Sequence, residues 1–278
     1  MDLKKLFFVI GIAFLMNNVS AQQKTNTRSE AYEAKQLKKA ERKEKINQMV
    51  KQEEEGALIY QKQSAFGFKF STDGWAGFYE HGKYKTITKT NLWWLELGEK
   101  KDRKEEKVPT MSASGGFLIV SSYVYGKQNN FYYLKGGIGQ QKLIGGKGNK
   151  NGVAVSAIYG GGVSLGLLKP YYIEIQNPNN GQREEIKYDN NDSVFLDPTI
   201  ILGKGGLTKG FSEIKLVPGF HARTAIRFDY GRYNEVLSAI EVGLNADYYT
   251  QSVPIVLMNK EHNFFFNAYI ALVFGKRK

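Results

Sequence analysis

The second half of the chain alternates apolar and polar or small residues with a period of two. Val153, Val155, Ala157, Tyr159, Val163, Leu165 and Leu167 alternate with Ala154, Ser156, Gly160, Gly162, Ser164 and Gly166. Leu216, Phe220, Ala222, Ile226, Phe228 and Tyr230 share one face of the next such run, and Val236, Ile240, Val242, Leu244 and Tyr248 one face of another. A last run places Phe264, Phe266, Ala268, Ile270, Leu272 and Phe274 together. Period two predicts strands with one apolar face. Each is longer than the usual ~5–6 residues, which is the length that a tilted strand needs to cross a membrane.

Four earlier segments complete the pattern. They are 64–80 with Phe66, Phe68 and Phe70 outward, 86–99 with Trp93, Leu95 and Leu97 outward, 117–125 and 131–144. With 153–168, 215–230, 235–249 and 262–275 they make eight strands, so both ends of a closed sheet fall on one side. The expected fold is all-β: an eight-stranded antiparallel transmembrane β-barrel with a short N-terminal periplasmic helix.

Alternation does not say which face is inside; a soluble barrel would reverse it. The second face decides it, because it mixes Gly219, Ala225, Ala239, Gly243, Ala271 and Gly275 with His221, Arg223, Arg227, Glu241, Asn245 and Asn267. Small residues and paired charges suit the narrow interior of such a barrel. In hydrocarbon, closure is what satisfies every strand N–H and C=O. Tyr230, Tyr233, Tyr248, Tyr249 and the Trp93-Trp94 pair are expected in girdles at the membrane interfaces.

The N-terminus gives an address. Lys4 and Lys5, the apolar core Leu6 to Met16 and Val19-Ser20-Ala21 read as an export signal over 1–21, cleaved after Ala21. Eleven apolar residues are too few to span ~30 Å as a helix. Residues 22–60 follow a different pattern. Thr27-Arg28-Ser29-Glu30 fits a capping box, and the stretch that follows carries Lys35, Lys38, Lys39, Arg42, Lys43 and Lys45. This reads as a solvated basic helix on the periplasmic side, either a spacer or a site for an acidic or protein partner. The barrel itself is expected over 61–278, in the cell outer membrane.

Composition removes several functions. The 278-residue chain carries a formal net charge of +12, and its Asp, Glu, Lys and Arg together are only 24%, too few for a disordered polyelectrolyte. It has no Cys, which excludes disulfides, thiolate zinc and thiol nucleophiles. No nucleic-acid motif accompanies the basic charge; lipid phosphates are its expected counterions. The segment 169–212 is expected to be the main extracellular loop, with a hairpin around Asn177 to Gly181. In this count the charged stretch Lys100 to Lys107 falls on the periplasmic side and is long for that side. Either the turn is atypical, or the strand count in 64–125 is off by one hairpin.

Leu216-Val217-Pro218-Gly219-Phe220, Glu241-Val242-Gly243, Pro254-Ile255-Val256 and Phe264 to Lys278 resemble a family of small outer-membrane barrel proteins of the Bacteroidetes. The resemblance covers roughly 115–278 and implies a barrel with no catalytic motif. It also implies that the final strand is read by the barrel-assembly machinery, although Gly275-Lys276-Arg277-Lys278 follow the usual terminal aromatic.

The candidate chemistry is ionic. A three-residue loop at Gly231 pairs Tyr230 with Asn234 and sets Arg223 opposite Glu241. The expected luminal ion-pair network is Arg223, Glu241, Arg227 and Asp247, joined by Lys69, Asp73 and Glu96 as further candidates. Its structural reading is a polar plug; a proton or ion path is the alternative. No enzyme is expected, because neither His221 nor His262 has a Ser placed by the sequence beside it, and Glu80 and His81 point oppositely in a strand. No cofactor or metal is expected: Asp189-Asn190-Asn191-Asp192 lacks EF-hand spacing, and Gly145 to Lys150 lacks the Lys-Ser/Thr pair of a phosphate loop. The expected role is structural or interactive, with an accessory subunit of an outer-membrane assembly, bound to a periplasmic or outer-membrane protein partner, as one form of it. Outer-membrane lipids and lipopolysaccharide are further expected partners; a narrow transporter or channel and a lipid-modifying enzyme are the rival functions.

Overall fold

The computed structural model describes residues 32–33, 35–44, 61–86, 88–114, 117–147, 152–189, 192–232, 235–257 and 259–278. The export signal and most of the basic segment lie outside the described residues, as do Tyr233, Asn190 and Asn191. Residues 35–44 form helix α1, with its side chains exposed. The Gln36 amide donates to the Tyr32 hydroxyl at 3.0 Å.

The strands in chain order are β1 (Lys62–Ser71), β2 (Gly74–Thr86), β3 (Lys89–Lys100), β4 (Lys107–Ser114), β5 (Phe117–Val124), β6 (Asn129–Gly145) and β7 (Ala154–Pro170). They continue with β8 (Tyr172–Gln176), β9 (Arg183–Lys187), β10 (Ile201–Lys204), β11 (Lys215–Asp229), β12 (Val236–Val253) and β13 (His262–Arg277). Eight of them close a barrel in the order β1-β13-β12-β11-β7-β6-β3-β2, every pair antiparallel. The seam is tied at one rim, where the Gln61 and Lys62 N–H groups both donate to the Lys278 carbonyl at 2.7 Å. We call this the near rim.

The number of barrel strands is as expected, but their composition differs. Segment 64–80 is two strands, β1 and β2, turned at Thr72-Asp73 so that Ser71 pairs with Gly74. Segment 117–125 is not in the barrel; it is β5, paired only with β4 in a two-stranded hairpin. The long stretch after Lys100 therefore leaves from the far rim. Its length stops being anomalous there.

Exposure settles the sidedness. Phe66, Phe70, Leu97, Val163, Phe220, Ile270 and Phe274 lie exposed on the outer wall, while the alternate positions are buried. A closed sheet with a largely apolar outer wall and a charged interior is a membrane-spanning barrel, because no aqueous arrangement leaves that much apolar surface bare. Strict alternation also corrects the girdles. Tyr230, Tyr248 and Trp93 face outward, but their neighbours Trp94 and Tyr249 are buried in the lumen.

The barrel is taller on one side. β6, β7, β12 and β13 have 16 to 18 residues, against 10 to 13 in β1 to β3. A tilted strand spans hydrocarbon in about 9–11 residues. The surplus carries a folded cap beyond the far rim. In it, hairpin β4–β5 and the sheet β10-β8-β9 enclose Tyr123, Ile173, Ile175, Phe195 and Ile201, with helix α2 (Asp192–Phe195) supplying Phe195. The Thr110 hydroxyl donates to the Leu202 carbonyl at 2.7 Å and stitches the hairpin to β10. The hairpin expected near Asn177 to Gly181 is the β8–β9 turn, closed by Gln176 pairing with Arg183.

Candidate functional site

The lumen holds a group of buried charges, set there by strand parity. Nearest the near rim, Arg277 lies 2.5 Å from Asp229, and Lys147 lies 3.6 Å from the same carboxylate. The Lys147 ammonium also donates to the Gly231 carbonyl. Asp229 accepts the Gly231 N–H at 2.9 Å. β11 ends at Asp229 and β12 begins at Val236, so the connection covers 230–235 instead of the three residues expected, and the register moves with it. Asp229 pairs with Ala239, Arg223 with Asn245, and Arg227 with Glu241. The expected Arg223–Glu241 opposition is therefore corrected to Arg227–Glu241.

Arg227 lies at the centre of the next layer. Its Nε and Nη2 donate to Glu241 Oε2 at 2.9 and 2.5 Å. Its Nη1 donates to Glu80 Oε1, and Nη2 also reaches Glu80 Oε2 at 2.8 Å. The Tyr269 hydroxyl donates to the other Glu241 oxygen at 2.6 Å. Arg223 makes one longer contact, 3.4 Å to Glu80, and lies with its guanidinium 4.0 Å from the Trp94 ring. Its Nε and Nη1 have no hydrogen-bond partner among the described residues.

Above this level Lys69 contacts Glu96 at 2.5 Å, and Tyr133 donates to Glu96 at 3.1 Å. Lys135 bridges to Asp247 at 2.8 Å; Lys100 joins Asp247 at 3.0 Å and Asp73 at 2.6 Å. So Arg227 and Glu241 meet directly, Arg223 reaches them only through Glu80, and Asp247 belongs to a separate cluster nearer the far rim. Lys69, Glu96 and Asp73 join the stack, with Lys69 and Glu96 paired to each other. Glu80, Lys100, Lys135, Asp229 and Arg277 belong to the stack but are not among the network residues expected from the sequence. The parity of β2, β3 and β6 would have found Glu80, Lys100 and Lys135.

Trp94 fills the middle of the barrel. Gly137, Gly139 and Gly160 make room for it: a Cβ on Gly137 would lie 2.4 Å from the indole, and one on Gly160 2.8 Å from it. Its indole N–H donates to His221 Nε2 at 3.3 Å, and His221 Nδ1 lies 3.1 Å from Ser164 Oγ. This Ser–His contact joins distant strands and has no sequence signature. Because Nε2 accepts the indole proton, the neutral ring carries its own proton on Nδ1 and donates to Ser164. A ring in that tautomer does not take the serine proton, so the pair is not an activated nucleophile. On the outer wall Ser64 lies 2.9 Å from His81 Nδ1, while Glu80 points into the lumen. His262 is exposed at the far rim.

Over the ion stack lies an apolar layer of Phe131, Leu168, Val217, Tyr249, Val253, Ile255 and Val256. Phe131 and Tyr249 meet edge to face, with centroids 5.1 Å apart. Their room comes from Gly166, where a Cβ would lie 2.7 Å from Phe131. Among the described residues no group of three or more His, Cys, Asp or Glu side chains is placed to hold a metal ion.

No family model and no curated protein matches the chain. Among solved structures, the attachment invasion locus protein Ail of Yersinia pestis is similar at 9% identity over 79% of this chain and 100% of its own, with a TM-score of 0.34. Neisserial surface protein A is similar at 10% identity over 78% and 94%, with a TM-score of 0.34. The N-terminal β-barrel domain of Pseudomonas aeruginosa OprF gives 10%, 77%, 96% and 0.31 in the same terms. At such scores the likeness extends to no residue and no role.

Proposed function

We propose that this chain is a non-enzymatic outer-membrane β-barrel with a structural or interaction role, a sealed anchor that presents its folded cap outside the cell. The near rim then faces the periplasm, and the basic segment before β1 lies there too. The observation that carries this reading is the filling of the lumen, where Arg227 and Glu241 are each about 1% exposed or less and the Phe131–Tyr249 layer covers the ion stack. An eight-stranded interior is just wide enough for its own side chains. A conducting path needs hydrated groups, and Arg227, Glu80 and Glu241 are instead buried and paired with one another. The cap, with its own apolar core, is the surface that a partner would meet, which suits an accessory subunit of a larger outer-membrane assembly. Kinship with the Bacteroidetes barrels and delivery by the barrel-assembly machinery belong to the same reading.

Planar-bilayer recording of the purified full chain tests it. The expected trace shows no steady conductance, whereas a stable unitary conductance in the wild-type protein overturns the sealed anchor in favour of a narrow channel. Affinity purification in mild detergent then identifies the partner, which is expected to be lost when the β4–β5 hairpin is replaced by a short linker.

A further inference from the structure

On the outer wall, where the barrel meets the cap, the structure forms a cleft of about 270 Å3. Lys101, Lys107, Lys169, Lys204 and Lys209 line it, together with Tyr123. Lys107 and Lys204 are exposed and have no ion pair among the described residues. Two carboxylates share the lining, but both are engaged. Glu105 takes Lys127 on its two oxygens at 2.9 and 3.0 Å, and Glu99 accepts the Trp75 indole N–H at 3.1 Å. The Tyr123 hydroxyl is buried and has no hydrogen-bond partner among the described residues. The cleft thus has surplus positive charge and an unused polar group.

Its height on the wall says what would neutralise that charge. Glu99 pairs with Tyr132 on the lower lip, and the next outward pair beneath is Leu97 with Leu134, which belongs to the apolar belt. Two residues of strand separate these pairs by roughly 7 Å. The lower lip of the cleft therefore stands just above the hydrocarbon, at the level of outer-leaflet head groups, and the lysines line the cleft above that lip. An ammonium at that height is a point charge suited to phosphate.

We propose that this cleft binds the phosphate of a phosphorylated glycolipid of the outer leaflet, with Lys107 and Lys204 as its free cations. This rests on the outer-membrane reading above. The test is native mass spectrometry of the full chain in dodecyl maltoside with diphosphorylated lipid A, enzymatically dephosphorylated lipid A, and inorganic phosphate. The expected result is retention of the phosphorylated lipid at least tenfold above the dephosphorylated one, reduced to parity by Lys107→Gln with Lys204→Gln. Equal retention of the two lipids, or retention unaffected by the double variant, overturns the proposal. Inorganic phosphate that competes at micromolar levels also overturns it, because the site then reads a free anion and not a lipid. Both lysines are exposed, and unchanged heat-modifiable migration in SDS confirms that the variant folds. Sedimentation with carbonate-washed membranes tests the outer-membrane reading separately.

Discussion

Arg227 lies directly opposite Glu241 in the β11–β12 ladder and grips both Glu241 and Glu80, across two different sides of the lumen. Such a residue ties remote strands, not only adjacent ones. Removing one partner of a buried ion pair leaves the other uncompensated, at a cost of about 3–5 kcal/mol. Arg227→Ala is expected to cost that much in a detergent melt.

Arg223 provides the contrast. Its single 3.4 Å ion contact and its packing on Trp94 predict a smaller loss for Arg223→Ala, about 2 kcal/mol, mostly from the lost cation–π contact. A melt in which Arg223→Ala cost as much as Arg227→Ala would remove Arg227 from the centre of the network.

Trp94 and Gly137 are coupled by space. A methyl on Gly137 would lie 2.4 Å from the Trp94 ring, and overpacking of this kind costs about 1–3 kcal/mol. Trp94→Leu alone is also destabilising, because it empties the barrel centre. Combined with Gly137→Ala it is expected to be less damaging than the sum of the two. A double-mutant cycle that closed additively would show that the ring does not set the glycine.

Because the native chain has no Cys, single cysteines report sidedness cleanly. Asn180→Cys in the β8–β9 turn and Arg103→Cys after β3 are expected to react with an impermeant maleimide on intact cells. Arg232→Cys, in the β11–β12 connection, is expected to react only after the envelope is opened. The reverse pattern would invert the barrel.

In the cap, Lys187 and Tyr172 donate to Glu213 and hold its carboxyl below the ordinary value of 4.5. A depressed carboxyl stabilises above its unfolded value and loses that contribution as pH falls through the lowered one. Amide protection of β8 to β10 is therefore expected to hold down to about pH 4.5 and to decline only beneath it. Glu213→Gln should lower protection modestly at neutral pH and flatten the acid decline, since an exposed pair contributes little. A decline already under way at pH 6 would assign it to another group.

Much of this architecture is written in the later strands, where alternation persists long enough to fix both parity and sidedness. The earlier strands are harder to read because two runs mislead. Aromatics continue from Phe70 into Trp75, so the Thr72-Asp73 turn does not interrupt the hydrophobic pattern, although Asp73-Gly74 is itself a turn signal. In the cap, β5 opens on the apolar run Phe117 to Val120, which reads as a strand without saying whether a bilayer or a cap core covers it. Missing the first hairpin and adding β5 cancel in the count, and the misplaced Lys100 to Lys107 loop is their trace. The ion network was legible as a set of residue types but not as partners. Partnership depends on the length of the β11–β12 connection, which period-two alternation leaves open.

The near-rim seam has a consequence for biogenesis. Because β1 is completed only by β13, its hydrogen-bonding edge has no lawful occupant until the whole polypeptide has emerged. Closure must therefore follow synthesis of β13, and a chain cut short anywhere before His262 would yield not a smaller barrel but an open sheet with β1 left as a bare edge.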